Sequence, residues 1–219
     1  MPEAGFGSGE LLDEPFEAPI VSSERRFQGH VWDVRSDSFE YGSTGSTETI
    51  TREYVDHTGA VAILALDEDD RAMLIRQYRH PIAHRDWEIP AGLLDMEGEQ
   101  PLRAAQRELA EEADLQASEW AVLADFFTSP GGSTEAIRIY LARGLKATPA
   151  FDRTEEEADL ETRWVGLDAI VDAVLERRIG NSILGFAALA AQTSRARGWS
   201  SLGAADAPWP QQPHRGARA

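Results

Sequence analysis

Three glutamates cluster in one short stretch of the sequence, and together they could bind a divalent metal ion. Glu108, Glu111 and Glu112 stand at positions i, i+3 and i+4, so on an α-helix they share about a third of the circumference. Like charges this close repel by about 4 kcal/mol per pair at about 4 Å and an effective dielectric of about 20. A divalent cation would relieve that repulsion, and an all-oxygen ligand set suits Mg²⁺ or Mn²⁺. The alternative is a solvated acidic helix face, which is the commoner arrangement.

The helix that would carry these glutamates is predicted from Pro101 to Ala113. Pro101 suits the first helical turn, where its missing N–H costs nothing. Leu102, Ala105, Leu109 and Ala113 form an apolar stripe beside the carboxylates. The helix would therefore pack on a sheet by one side and present carboxylates on another. Its last turn holds Glu111 and Glu112, where the helix dipole disfavours negative charge.

The composition narrows the class of protein. The chain has 219 residues, 38 acidic against 21 basic side chains and a formal charge of −17. Such a field repels nucleic acid, and it would oppose any anionic ligand unless metal ions or local arginines reverse its sign. The absence of cysteine excludes disulfides, zinc–thiolate sites and thiol nucleophiles. Since neither a signal peptide nor a membrane-spanning apolar run is present, we expect a cytoplasmic protein without membrane contact.

The chain divides into four parts on composition and periodicity. Residues 1–20 are predicted to be a flexible acidic arm, and residues 21–57 a small antiparallel β domain with a turn in the Gly- and Ser-rich stretch 41–46. Residues 58–198 are predicted to be the main domain and residues 199–219 a flexible tail. Extended segments are predicted within the main domain at 59–66, 72–78, 86–91, 120–127, 136–142 and 162–165, and two further helices at 168–178 and 181–195.

The glutamate helix and the loop before it resemble the Nudix box, G-x5-E-x7-R-E-U-x-E-E-x-G-U, in which U is apolar. Gly92, Glu99 and the run from Arg107 to Glu112 match this motif, and Leu115 fills its last apolar position. Two departures stand out. Six residues instead of five separate Gly92 from Glu99, and Asp114 occupies the place of the final glycine. Neither departure removes a carboxylate.

The resemblance extends to one subgroup of the Nudix hydrolases, the ADP-ribose pyrophosphatases. The run Trp87–Gly92 resembles their W-E-x-P-A-G motif, and Arg76–His80 resembles the strand end that carries their substrate arginine. Pro130, fifteen residues after Leu115, matches a downstream proline of the subgroup. The resemblance implies an α/β fold, the Nudix-type α/β/α sandwich with a mixed sheet, plus a small N-terminal antiparallel β domain that pairs two chains into a homodimer.

The resemblance also assigns roles in the metal site. It implies that Glu108 and Glu112 bind metal, that Glu111 supports or bridges them, and that the backbone carbonyl of Ala91 is a further ligand. Arg107 would orient these carboxylates. The catalytic glutamate of a late loop would be Glu157, with Glu156 as the substitute candidate. The alternative is that residues 155–157 are ordinary loop charges.

For the substrate, the resemblance implies that Arg79 contacts a diphosphate and that Arg52 and Glu53 hold the base end, from a partner subunit. Arg79 could instead be an ordinary surface arginine, and Arg52 with Glu53 could be a simple cross-strand pair. The implied activity is Mg²⁺-dependent hydrolysis of ADP-ribose to AMP and ribose 5-phosphate. The alternatives are a pyrophosphatase for GDP-mannose or another nucleotide sugar, and a Nudix-like module that senses a nucleotide without cleaving it.

Overall fold

The structure is a computed structural model that describes residues 11–43, 46–151 and 160–213. The strands in chain order are β1 (Ile20–Gln28), β2 (Asp33–Ser43), β3 (Ser46–Asp56), β4 (Ala60–Ala65), β5 (Arg71–Arg79), β6 (His84–Glu88), β7 (Ala91–Leu93), β8 (Leu115–Phe127), β9 (Ala136–Ala147), β10 (Glu161–Gly166) and β11 (Gly203–Ala204). The helices are α1 (Pro101–Ala113), α2 (Leu167–Leu175) and α3 (Ser182–Ala196), and a 3-10 turn spans His80–Ile82.

The N-terminal part forms a three-stranded antiparallel sheet in the order β1-β2-β3. The sheet was expected, but its first strand already begins at Ile20, and β2 and β3 are each 11 residues long. β2 and β3 pair in register from Asp33 opposite Asp56. These strands are rich in polar residues and largely exposed.

A mixed five-stranded sheet in the order β11-β8-β9-β4-β7 forms the centre of the main domain. β4 runs parallel to β9, whereas its other neighbour β7 is antiparallel. Every residue of β4 is buried, as the continuous apolar run at 59–66 predicts for a strand covered on both faces. A second antiparallel sheet, in the order β10-β5-β6, stands beside it.

Helices cover both faces of this arrangement and complete the predicted α/β/α sandwich. On one face, Ala105 and Leu109 of α1 pack with Val61 and Ile63 of β4. On the other face, α2 and α3 pack against the opposite side of the same strand, where Leu184 meets apolar side chains of the sheets. The alternation of side chains along β4 therefore divides the interior into an α1 core and an α2–α3 core.

The described part of the C-terminal segment packs on the domain, which corrects the expectation of a flexible tail from residue 199. β11 pairs with β8, and the Trp209 side chain is buried. The buried guanidinium of Arg138 donates to the carbonyl oxygens of Ala207 at 2.7 Å and of Pro208 at 3.0 Å, and it lies 5.1 Å from the Trp209 ring centroid. A Pro-, Gly- and Ala-rich composition gives no periodic signal, so the sequence could not reveal this attachment. No helix in residues 11–43, 46–151 or 160–213 has the length and hydropathy needed to cross a bilayer.

Candidate functional site

Helix α1 brings the three candidate glutamates to the boundary between the packed interior and solvent. The helix begins at Pro101 and ends at Ala113, as predicted. Glu108 and Glu112 lie on its packed side, with only 9% and 5% of their surface exposed, whereas the Glu111 side chain is 37% exposed. A solvated acidic face therefore does not describe Glu108 and Glu112. Burial of carboxylates requires compensating partners.

Arg107 supplies much of that compensation by contacting three glutamates at once. Its Nε and Nη2 donate to the two carboxylate oxygens of Glu99 at 3.1 and 3.0 Å. Its Nη1 donates to Glu108 at 2.7 Å and to Glu111 at 3.0 Å. The hydrogen bond from Arg107 holds the pKa of Glu99 below its ordinary value, and the same contact with Glu99 raises the pKa of Arg107. One guanidinium thus ties the loop before α1 to two carboxylates of the helix.

A short stretch of extended chain, residues 88–92, faces the glutamates from the sheet side, and we call it the crossing segment. It leaves the three-stranded sheet at Glu88, the last residue of β6, and enters the five-stranded sheet at Ala91, the first residue of β7. The Pro90 carbonyl accepts a hydrogen bond from Ile63 N–H at 2.8 Å, which fixes the segment to β4. Ala91 N–H donates to Glu112 Oε2 at 2.8 Å. The crossing segment therefore contacts α1 directly.

Gly92, the next residue of the crossing segment, is a glycine because the Glu108 carboxylate occupies the space of a side chain. A Cβ built at Gly92 would lie 1.9 Å from Glu108 Oε1 and 2.0 Å from its carboxylate carbon. These distances are far inside van der Waals contact, so any larger residue would displace Glu108. The sequence shows the glycine as part of a motif, and the structure gives its physical reason.

Arg79 lies at the end of β5 and pairs with the first residue of the crossing segment. Its Nε and Nη2 donate to the two oxygens of Glu88, each at 2.7 Å. The Glu88 side chain is 6% exposed and that of Arg79 42% exposed. Arg79 projects from the same face of β5 as Met73, which packs in the α1 core. An arginine reachable from solvent thus stands on the face of the sheet that carries the glutamate helix.

The two departures from the Nudix box are accommodated locally. The additional residue lies in an exposed turn before α1, where Glu99 N–H donates to the Met96 carbonyl at 3.3 Å. Asp114 ends the helix in the left-handed conformation, with φ 53°. Asp tolerates this conformation better than most residues other than Gly. Its carboxylate accepts a hydrogen bond from Phe151 N–H at 2.9 Å, an interaction that glycine could not make.

Arg52 and Glu53 are not brought to α1 within this chain. Arg52 and Glu53 lie exposed on β3, opposite Asp37 and Ser36 of β2, and Arg52 Nη1 donates to the Thr51 carbonyl at 2.8 Å. They are neighbours along one strand and are not paired with each other across strands. The candidate loop glutamates, Glu156 and Glu157, lie outside the described residues.

Two charged residues that received no role from the sequence have central places in the structure. Glu88 and Glu99 both fell within recognised motifs, which was the available signal, but only the folded chain pairs them with Arg79 and Arg107.

His57 is buried between the N-terminal sheet and the main domain, 3.3 Å from Glu135 and stacked on Trp32 at 5.4 Å between ring centroids. Burial lowers the pKa of His57, and the nearby Glu135 partly opposes that effect.

The donors at α1 agree in chemical type with a divalent metal ion. Carboxylate and backbone carbonyl oxygens are the ligands that Mg²⁺ prefers. Glu108 and Glu112 are buried and held beside Gly92 and Ala91, so both carboxylates lie on the side of α1 that contacts the crossing segment. Among the described residues, no group of three or more His, Cys, Asp or Glu side chains is already gathered around one metal position. Glu108 and Glu111 are instead turned towards Arg107.

Comparison with known proteins identifies the family of this chain. The family model of the NUDIX domain matches residues 56–183, more than half of the chain. The chain belongs to the Nudix hydrolase family. An ADP-ribose pyrophosphatase of Mycobacterium tuberculosis is 42% identical over 173 residues, which cover 79% of this chain and 81% of the relative. A methanol dehydrogenase activator of Bacillus methanolicus is 34% identical over 167 residues, covering 76% and 88%.

A solved structure described as an ADP compounds hydrolase has the same fold as this Nudix chain. The two superpose with a TM-score of 0.68 at 22% identity, over 85% of this chain and 99% of the other. At this identity the likeness shows the fold alone.

Proposed function

We propose that this Nudix hydrolase cleaves the pyrophosphate of ADP-ribose, giving AMP and ribose 5-phosphate, with Mg²⁺ as its metal ion and Mn²⁺ as an alternative. The observation that carries the proposal is the burial of Glu108 and Glu112 against the crossing segment, with Gly92 leaving room for Glu108. The 42% identity to an ADP-ribose pyrophosphatase over most of both chains directs the choice of substrate.

The proposed metal ligands are the carboxylates of Glu108, Glu111 and Glu112 and the carbonyl of Ala91. When bound, divalent ions neutralise phosphate oxygens and lower the pKa of a coordinated water. Arg107 holds Glu108 and Glu111 in place through its Nη1 hydrogen bonds.

The remaining groups would act on the substrate and on the water. Arg79 would contact the diphosphate, since a guanidinium binds phosphate oxygens through paired N–H donors. Glu157, or Glu156 in its place, would accept the proton of the attacking water. The products follow from attack on one phosphorus and release of the other phosphate as a monoester.

A second copy of the chain is part of the proposal. The N-terminal sheet and its β1–β2 turn expose Val21, Phe27, Val31 and Trp32, each with more than two fifths of its surface accessible in the single chain. Phe27, Val31 and Trp32 fall within six residues at one end of the sheet, and exposed apolar side chains gathered at one place favour a protein interface. A homodimer formed through this sheet would bring Arg52 and Glu53 of one protomer to the base end of the substrate bound by the other.

A substrate panel tests the activity. With Mg²⁺ present, we expect kcat/KM for ADP-ribose to exceed that for GDP-mannose and other nucleoside diphosphate sugars by about tenfold or more, a difference of about 1.4 kcal/mol. We expect Glu112→Gln to lower AMP release by roughly 100-fold or more, because it removes a charged oxygen donor. The same change at Glu119, exposed on β8, is the matched control.

Each rival gives a different result in this panel. Preference for GDP-mannose would replace the proposed substrate with another nucleotide sugar. Binding of ADP-ribose by the unmodified protein without AMP release would instead identify a non-hydrolytic sensor. Equal activity of the unmodified protein and Glu112→Gln would contradict the proposed metal site.

A further inference from the structure

We infer that Glu88 is a positioning residue that orients Arg79 towards the phosphates of the substrate, an inference that rests on the proposed diphosphate hydrolysis. The carboxylate of Glu88 takes both donors on one edge of the Arg79 guanidinium, Nε and Nη2, at 2.7 Å each. Such a two-point contact fixes the plane of the guanidinium as well as its position. The Nη1 amino group of Arg79 consequently points away from Glu88.

Glu88 is itself immobilised, so the orientation that it imposes is definite. It ends β6, in register with Ile75 of β5, and its side chain is 6% exposed. Two residues later, Pro90 is hydrogen-bonded to Ile63 of β4. A long arginine side chain at a strand end has many rotamers, and its ordering would otherwise be an entropic cost of binding. A buried, backbone-anchored acid removes part of that cost before the substrate arrives.

The crossing segment also sets where Arg79 stands relative to the glutamates of α1. Glu88 holds Arg79, and Ala91, three residues on, holds Glu112 through its N–H. Three residues of extended chain span about 10 Å at about 3.3 Å per residue. One rigid stretch of backbone therefore fixes the distance between the Arg79 guanidinium and the carboxylates of α1. A site that binds one diphosphate together with its metal ions requires such a fixed distance.

Charge alone leads to the opposite expectation, and this makes the inference testable. If Glu88 merely neutralised Arg79, its removal would leave a stronger cation, and an anionic substrate would bind more tightly. If Glu88 positions Arg79, its removal takes away the two-point restraint on the guanidinium plane, and the substrate binds more weakly. The sign of the change in KM decides between the two.

The experiment measures kcat and KM for ADP-ribose in Glu88→Gln, Arg79→Gln and the double variant. We expect Glu88→Gln to raise KM on the order of tenfold with a smaller change in kcat, the lower end of what losing an orienting partner costs at metal sites. Since Glu88 would act through Arg79, the double variant should match Arg79→Gln alone. Glu88→Asp keeps the charge, and we expect it to recover part of the loss.

A matched control is available elsewhere in the chain. Asp125 holds Arg138 through the same two nitrogens, Nε and Nη2, at 2.8 Å each, on β8 and β9. β8 lies three strands from β7 in the central sheet. Asp125→Asn should lower the melting temperature and leave KM unchanged, which separates the loss of a buried ion pair from the loss of orientation.

The outcomes separate this inference from the proposed function. An unchanged or lowered KM in Glu88→Gln, or additive effects in the double variant, would overturn the role of Glu88 while leaving the activity intact.

If the unmodified protein shows no turnover, calorimetric titration with ADP as a diphosphate probe replaces KM. Weaker ADP binding by Glu88→Gln then supports the inference although the proposed function has failed, and equal binding overturns it. Should Glu88→Gln fail to fold, Glu88→Asp carries the same comparison: a raised KM at an unchanged melting temperature supports the inference, and an unchanged KM overturns it.

Discussion

The two cores of the main domain differ in what they bury. Helices α2 and α3 bury apolar side chains and a single polar one, Ser194. Helix α1 buries Glu108 and Glu112 beside its alanines and leucine. Burying a carboxylate costs free energy that an apolar residue does not incur, and on the α1 side Arg107 and the crossing segment offset that cost. On the proposed function, one core serves stability and the other would serve chemistry at some expense of stability.

The largest expected effect lies on the α2–α3 side and concerns stability alone. Leu184 of α3 is fully buried. Leu184→Ala should lower the free energy of unfolding by about 2–5 kcal/mol, since it removes buried methyl groups and leaves a cavity. Urea unfolding measures that loss, and kcat of the folded fraction should not change. A loss of kcat comparable to that of Glu112→Gln would contradict the claim that the α2–α3 core contributes to stability alone.

A smaller effect, on the α1 side, concerns activity with little change in stability. Gly92→Ala places a methyl group where the Glu108 carboxylate lies, and that flexible side chain can move aside. We expect kcat to fall by about tenfold or more while the melting temperature stays close to that of the unmodified protein. Gly180→Ala is the control, because no atom lies within 4 Å of its Cβ. Unchanged kcat in Gly92→Ala would show that the position of Glu108 is unimportant.

The smallest effect is a pH dependence of stability. Arg107 lowers the pKa of Glu99 below its ordinary value of 4.5. The unfolded chain therefore binds this proton first, so the stabilisation is present above about pH 4.5 and is lost as pH falls through the folded pKa. Thermal melts between pH 6 and pH 3 should show a shallower acid loss in Glu99→Gln than in the unmodified protein. An equal dependence of the melting temperature on pH in the two proteins would show that the contact between Glu99 and Arg107 does not stabilise the fold.

The elements that the sequence alone could predict are those with local signals. Helix α1 was predicted at both ends because Pro101 marks its start and Asp114 stands at the motif position where the Nudix box has its last glycine. β4 was predicted from its apolar run. Both signals depend on residues within one or two turns or on one strand.

What the sequence could not supply depends on contacts between distant segments. The pairing of Arg79 with Glu88 requires the register of β5 with β6. The clash that makes Gly92 a glycine requires α1 to lie against β7. Each of these features follows from tertiary packing, which residue spacing does not encode.

The burial of Arg138 sets a limit on how far the chain can be shortened. Its guanidinium depends on backbone oxygens of Ala207 and Pro208 and on the ring of Trp209, all within the last thirteen residues. A chain truncated before Ala207 would keep this cation in the interior without two of its acceptors and without the aromatic ring beside it. Residues 207–209, which look dispensable by composition, therefore belong to the folding unit.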